Sequence, residues 1–103
     1  MNQTGFQNLT VSTASVGLTM PTASARPRGA LIYVASQPIR WRADGTDPTA
    51  TVGMFVASGG YIEWLAPESP DLGPDYYGIL SRVEFIRDTT ATGDATLDVA
   101  YFD

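Results

Sequence analysis

Apolar residues at every second position are the feature that most limits how this chain can fold. "PIRWRA" (38–43) sends Ile39, Trp41 and Ala43 one way and Arg40 and Arg42 the other. "TATVGMFVA" (49–57) alternates with Ala50, Val52, Met54 and Val56 on one face. "ATLDVAYF" (95–102) turns Leu97, Val99 and Tyr101 inward and Thr96 and Asp98 outward. "ILSRVEFIRD" (79–88) puts Ile79, Val83 and Phe85 on one face, opposite Arg82 and Glu84. "YIEWLA" (61–66) follows Ser58-Gly59-Gly60, residues suited to a tight hairpin turn. "ALIYVA" (30–35) is a continuous apolar run, as expected of a central strand buried on both faces.

No window of ten or more residues has a convincing helical period. "YYGILSRVEFI" comes nearest, but Gly78 and the β-branched residues weaken it. The spacing of strands and turns predicts an all-β protein: a small antiparallel β-sandwich or jelly roll of about six to eight short strands. The expected core comprises Leu31, Ile39, Trp41, Val52, Met54, Trp64, Val83, Phe85, Leu97 and Val99.

Two segments stand apart. Residues 1–29 are rich in Thr, Ser, Ala, Gln and Asn, with Phe6, Leu9, Val11, Val16, Leu18 and Met20 spaced among them. They are expected to form an N-terminal arm or a short strand pair ahead of a sandwich over 30–103. An arm of this kind would order only against a partner. "APESPDLGPDYYG" (66–78) carries three prolines and is expected to be the longest loop.

Composition excludes several chemistries. Without cysteine, disulfides, thiolate metal sites and thiol nucleophiles are ruled out. Without histidine the chain lacks the usual general base and the commonest metal ligand. Every cationic side chain is arginine, six against eleven carboxylates, for a net charge of −5. That balance opposes the phosphate neutralisation on which nucleic-acid binding depends. No apolar run reaches the length of a membrane helix, and the first residues show no secretory signal pattern.

The remaining acids read as turn residues. Asp44 with Asp47, and Asp71 with Asp75, sit beside Gly and Pro, where Asp caps turns. A carboxylate pair for glycoside hydrolysis, or oxygen ligands for Ca²⁺, would use the same residues. No catalytic, cofactor or metal site is assigned. For sugar stacking the available rings are Trp41, Trp64, Tyr61, Tyr76 and Tyr77, of which Tyr76 and Tyr77 are expected to be exposed. Arg40 and Arg42 form a ladder on one strand face. They are expected to pair either within the sheet, with Glu63 or Glu84, or across an interface. The candidate interface residues are Arg40, Arg42, Arg26, Arg28, Phe6, Tyr76 and Tyr77. One internal echo, "DPTATVG" (47–53) and "DTTATGD" (88–94), is explained by turn chemistry in two similar connections.

From Leu31 to Phe102 the chain resembles small all-β virion proteins of tailed bacteriophages. The likeness rests on an apolar strand, then "IRWRADGTDPTATVG", a Gly-rich turn, and Phe85-Ile86-Arg87 ahead of the last strand. The resemblance implies a non-enzymatic virion protein, a capsid decoration (cement) protein or a neck, tail or fibre-adaptor part. It implies no cofactor, assembly in the bacterial host cytoplasm, and a homo-oligomer with a trimer favoured. The major capsid protein or other virion proteins would be its partners, with no nucleic acid or membrane, and the N-terminal arm would reach a neighbouring capsid subunit. A carbohydrate-binding sandwich is the reading outside this family.

Overall fold

A computed structural model describes residues 3–19, 27–65 and 76–102. In chain order the elements are β1 (Gln3–Val11), β2 (Val16–Gly17), β3 (Gly29–Ser36), β4 (Ile39–Arg42), β5 (Met54–Val56), β6 (Tyr61–Trp64), α1 (Tyr77–Arg82), β7 (Glu84–Arg87) and β8 (Ala95–Phe102). Two four-stranded sheets result: sheet A in the order β1-β8-β3-β6 and sheet B in the order β2-β7-β4-β5. Every pairing is antiparallel. The pairs are nested, first strand with last and inward to β4 with β5, as in a long hairpin ribbon. Wrapping that ribbon adds the β3·β8 and β4·β7 pairings that complete the two sheets. The chain is a small all-β fold of two stacked antiparallel sheets.

The core lies where the inward faces meet. Along β8, Ala95, Leu97, Val99 and Tyr101 are buried, and along β3, Ala30, Ile32 and Val34 are. Sheet B adds Ile39 and Phe85, and Val83 and Leu80 close one end. Burying each of the valine, leucine, isoleucine and phenylalanine side chains among them contributes about 1.5–3 kcal/mol. Trp41 and Trp64 are half-buried against this core, from opposite sheets, with rings edge to face at 5.1 Å.

Three expected core residues lie elsewhere. Leu31 is only half-buried, because β3 alternates rather than burying both faces: Ala30, Ile32 and Val34 turn inward and Leu31 and Tyr33 outward. Val52 and Met54 are 51% and 60% exposed. Residues 49–53 do not join the strand. Thr49 and Val52 exchange backbone hydrogen bonds at 2.9 and 3.2 Å, closing a turn. Strand β5 therefore begins only at Met54, at the edge of sheet B.

The connection at Ser58-Gly59-Gly60 is not a hairpin. It carries the chain from β5 in sheet B to β6 in sheet A. Gly59 takes φ +86°, and its N–H donates to the Val34 carbonyl at 2.8 Å, anchoring the crossover to β3.

A second difference is the short helix α1, within the segment expected to be strand. At six residues it could not stand alone; buried Leu80 pins it to the core. Helical geometry turns Leu80 inward in place of Ile79, and the strand resumes only at Glu84. Residues 3–17 form two strands, in different sheets, and β1 pairs with β8 along its whole length. One side of its backbone is paired with β8, and the other is an edge of sheet A.

Tyr101 fastens this region. Its buried hydroxyl is 2.8 Å from Gln7 Oε1 and 3.1 Å from the Thr19 carbonyl, which share its proton. Burial pushes its ionisation up from 10 to about 12. Between those values the unfolded chain gives up the proton and the folded one keeps it, so stability falls as pH rises through that window. Tyr101→Phe is expected to cost about 1 kcal/mol at neutral pH and to flatten the alkaline limb. Urea midpoints from about pH 8 to pH 11.5 check this.

Candidate interaction face

The arginine ladder is occupied within the chain. Arg40 Nε donates to Asp88 Oδ1 at 2.6 Å, Nη1 donates to the Gly53 carbonyl at 3.0 Å, and the guanidinium lies 5.4 Å from the Phe55 ring centroid. Asp88 is only 2% exposed. It also accepts from the Thr90 N–H at 2.9 Å and the Thr90 hydroxyl at 2.5 Å. The Thr90 hydroxyl, then its N–H, then Arg40 hold the Asp88 carboxyl below its usual range against the opposing effect of burial. Arg42 lies opposite Glu84 in register, yet its guanidinium grips Asp44 through Nε (3.0 Å) and Nη2 (2.5 Å). Asp44 also accepts from the Thr46 N–H at 3.3 Å, a turn role.

The expected partners Glu63 and Glu84 thus go unused by the ladder. Glu63 is on the other sheet, and the Arg40 guanidinium is drawn to Asp88. The connections carrying the "DPTATVG" and "DTTATGD" echo touch here, Thr89 N–H donating to the Ala50 carbonyl at 3.0 Å. The corner is a structural latch joining two connections. Desolvation, then the nearby charge of Asp47, push the Glu84 carboxyl up. Its charge is therefore less welcome in the fold than in the open chain, and its contribution to stability is lost as pH rises past that carboxyl.

The other expected interface residues scatter. Phe6 is 63% exposed on β1. Tyr76 and Tyr77 are half-buried rather than an exposed pair: Tyr76 packs against the core, its N–H donates to the Arg28 carbonyl at 2.9 Å, and Tyr77 opens α1. Helix formation draws both in. Arg28 is half-buried, its N–H donating to the Phe102 carbonyl at 2.7 Å. Arg26 and the acids Asp71 and Asp75 lie outside the described residues.

The strongest surface feature is the outer face of sheet A. Strand register builds it in rows. One row crosses Phe6, Ala100, Leu31 and Glu63, and the next crosses Asn8, Asp98, Tyr33 and Tyr61. Neighbours in a row are about 5 Å apart. Tyr33 and Tyr61 are 45% and 63% exposed, side by side. With Leu31, Glu63 and Leu65 they line a shallow groove of about 470 Å³. Asn8 Nδ2 donates to Asp98 Oδ1 at 2.8 Å beside the tyrosines. This is an apolar, aromatic sheet face bearing two carboxylates. A monomer seldom leaves so many aromatic and aliphatic groups together in water without a use for them.

A second open cleft, about 460 Å³, lies at the β4–β5 end between Trp41, Ala43, Val52 and Met54, under the Arg42–Asp44 pair. Val52 and Met54, expected in the core, line this cleft instead. Among the described residues no group of acids could hold a metal ion.

Sequence reasoning named Tyr61 and Phe6 but missed Tyr33, Leu31, Asp98 and Glu63 as one surface. The available signal was Tyr33 inside "ALIYVA": alternation from Ala30 would have turned Leu31 and Tyr33 outward. Nothing in the sequence reveals that β3 pairs with both β6 and β8, and that pairing assembles the rows. Set against known proteins, the chain matches no family model, no curated protein and no solved structure.

Proposed function

We propose that this chain is a non-enzymatic structural protein of a tailed-phage virion, a capsid decoration protein that binds the outer shell as a homo-oligomer. The observation that carries the reading is the exposed aromatic face of sheet A, where Tyr33 and Tyr61 stand side by side on paired strands. The strand order supports it too. We read the nested pairs of the two four-stranded sheets as a jelly roll, an architecture used by viral capsid and lectin domains. The likeness of residues 31–102 to phage virion proteins supplies the setting.

The test is co-sedimentation with assembled shells of the phage that encodes the chain. Wild type is expected to pellet with shells in hundreds of copies. Tyr61→Glu, which places a charge in the centre of the face, is expected to weaken binding at least about 100-fold, as loss of a central aromatic anchor does. A chain that stays in the supernatant contradicts the reading, and a handful of copies per particle moves it to the neck or tail.

The Tyr33–Tyr61 pair favours a second reading, a glycan-binding module in which sugar rings stack on the tyrosines and Asp98 and Glu63 accept from hydroxyls. Binding to a glycan panel, lost in Tyr61→Ala, would establish it.

A further inference from the structure

We propose that the outer face of sheet A docks a basic protein segment, one whose arginine or lysine lies on the Tyr33–Tyr61 pair and ion-pairs with Glu63 or Asp98. The inference rests on the reading of this face as a docking surface and names the partner's chemistry.

Charge is the first argument. The side chains that β1, β8, β3 and β6 send outward in these rows include Glu63 and Asp98 and no arginine. Glu63 is exposed and has no ion pair with the described residues. Asp98 has one amide donor, from Asn8, which leaves its charge uncancelled. Elsewhere among the described residues three acids have an arginine, Asp88 with Arg40, Asp44 with Arg42, and Asp94 with Arg87 at 3.1 Å, while Glu84 and Asp47 stand together off the aromatic face. On the sheet A face Glu63 and Asp98 stand among apolar groups without a cation from the described residues.

Geometry is the second. Asp98 flanks Tyr33 on one side of the ring pair, and Glu63 stands two residues beyond Tyr61 along β6. A cation seated over the rings would be about 5–7 Å from the strand positions of both acids, within reach of a long side chain. Exposed tyrosine faces attract such a cation, and arginine's planar fork suits a carboxylate beside an aromatic ring.

These features argue against a second copy stacked face to face. Two such faces would bring four carboxylates into one dry contact with no base to meet them, and like charges there oppose association. A partner with cations among apolar side chains meets both the charge and the apolar surface.

The experiment is a titration of the ¹⁵N-labelled protein, followed by amide shifts, with two synthetic peptides of equal length and apolar content. One alternates arginine with leucine and phenylalanine; the other has glutamate in place of arginine. The arginine peptide is expected to shift the amides of Tyr33, Tyr61, Glu63 and Asp98. Its affinity is expected to fall about tenfold between about 0.05 and 0.5 M salt and about tenfold in the Glu63→Gln/Asp98→Asn double variant.

Equal binding of the glutamate peptide, or no shift at these four residues with the arginine peptide, overturns the proposal. So does the same shift pattern with a neutral oligosaccharide, which marks a glycan site, or a wild-type dimer that Tyr61→Ala dissociates. Shell binding separates the two levels. If Tyr61→Ala leaves it unchanged, the docking reading itself fails. If Tyr61→Ala abolishes it while the carboxylate double variant binds fully, the face docks and the basic partner falls.

Discussion

Asp88→Ala is expected to lower folding stability by about 2–3 kcal/mol and the thermal midpoint by roughly 10–20 °C. The carboxylate is out of contact with water, yet only the surrounding connections cover it, which keeps the cost below that of a deeply buried pair. Its removal leaves the Arg40 guanidinium without its counter-ion and the Thr90 N–H and hydroxyl without their acceptor. Arg40→Ala is expected to cost less, because Asp88 would keep both Thr90 bonds.

The same group gives the fold an acid limit. An aspartate in the unfolded chain titrates near 3.9, and in the fold Asp88 is held lower. Its contribution is therefore complete above about pH 5 and lost as pH falls through the folded value. Asp88→Asn is expected to start from a lower plateau and to lose less stability on acidification. Urea midpoints between about pH 7 and pH 3 check both statements. A wild-type acid limb no steeper than that of Asp88→Asn would contradict this account of the corner.

Gly29→Val is expected to destabilise the fold by about 3 kcal/mol, and Gly29→Ala by about 1–2 kcal/mol. Gly29 is buried at the start of β3, opposite Phe102. A Cβ there would run into the carbonyl oxygen of Trp64 and come within 3.3 Å of Leu65 Cα. Both obstacles are backbone, so neither can rotate aside. The strain can be relieved only by parting β3 from β6, which disturbs the Trp41–Trp64 contact and the Tyr33–Tyr61 pair together. Hydrogen exchange is expected to rise most at Ile62 and Trp64 and least along β1·β8. Uniform acceleration through both sheets would contradict this local account.

Much of the sandwich was legible because period-2 alternation is a local property. Ile39, Phe85, Leu97 and Val99 are inward residues that alternation alone identifies, and all four are fully buried. Three features depended on information that alternation does not carry. Helix α1 is held by a tertiary contact, the burial of Leu80, against weak local preference. Val52 and Met54 follow a strand pattern, but a turn at Thr49–Val52 and a short edge strand leave them in water. The outer face of sheet A is made by pairing strands distant in sequence. Tyr33 and Asp98 are neighbours only because β3 lies against β8.

The arginines teach the same lesson at closer range. "IRWRADGTDPTATVG" suggests a binding site because two arginines flank a tryptophan. Alternation separates Trp41 from Arg40 and Arg42, and the fold then commits both arginines to Asp88 and Asp44. The exposed tyrosines are on the opposite sheet, beside Glu63 and Asp98.

The proposed function has this chain dock onto a phage shell through the outer face of sheet A. Cryo-electron microscopy of the intact particle tests it most directly. The account predicts regularly spaced copies on the outer shell, with Tyr33 and Tyr61 against the capsid surface and a basic side chain between them and Glu63 or Asp98. Particles without the chain, or copies whose sheet A face looks out to solvent, would contradict it.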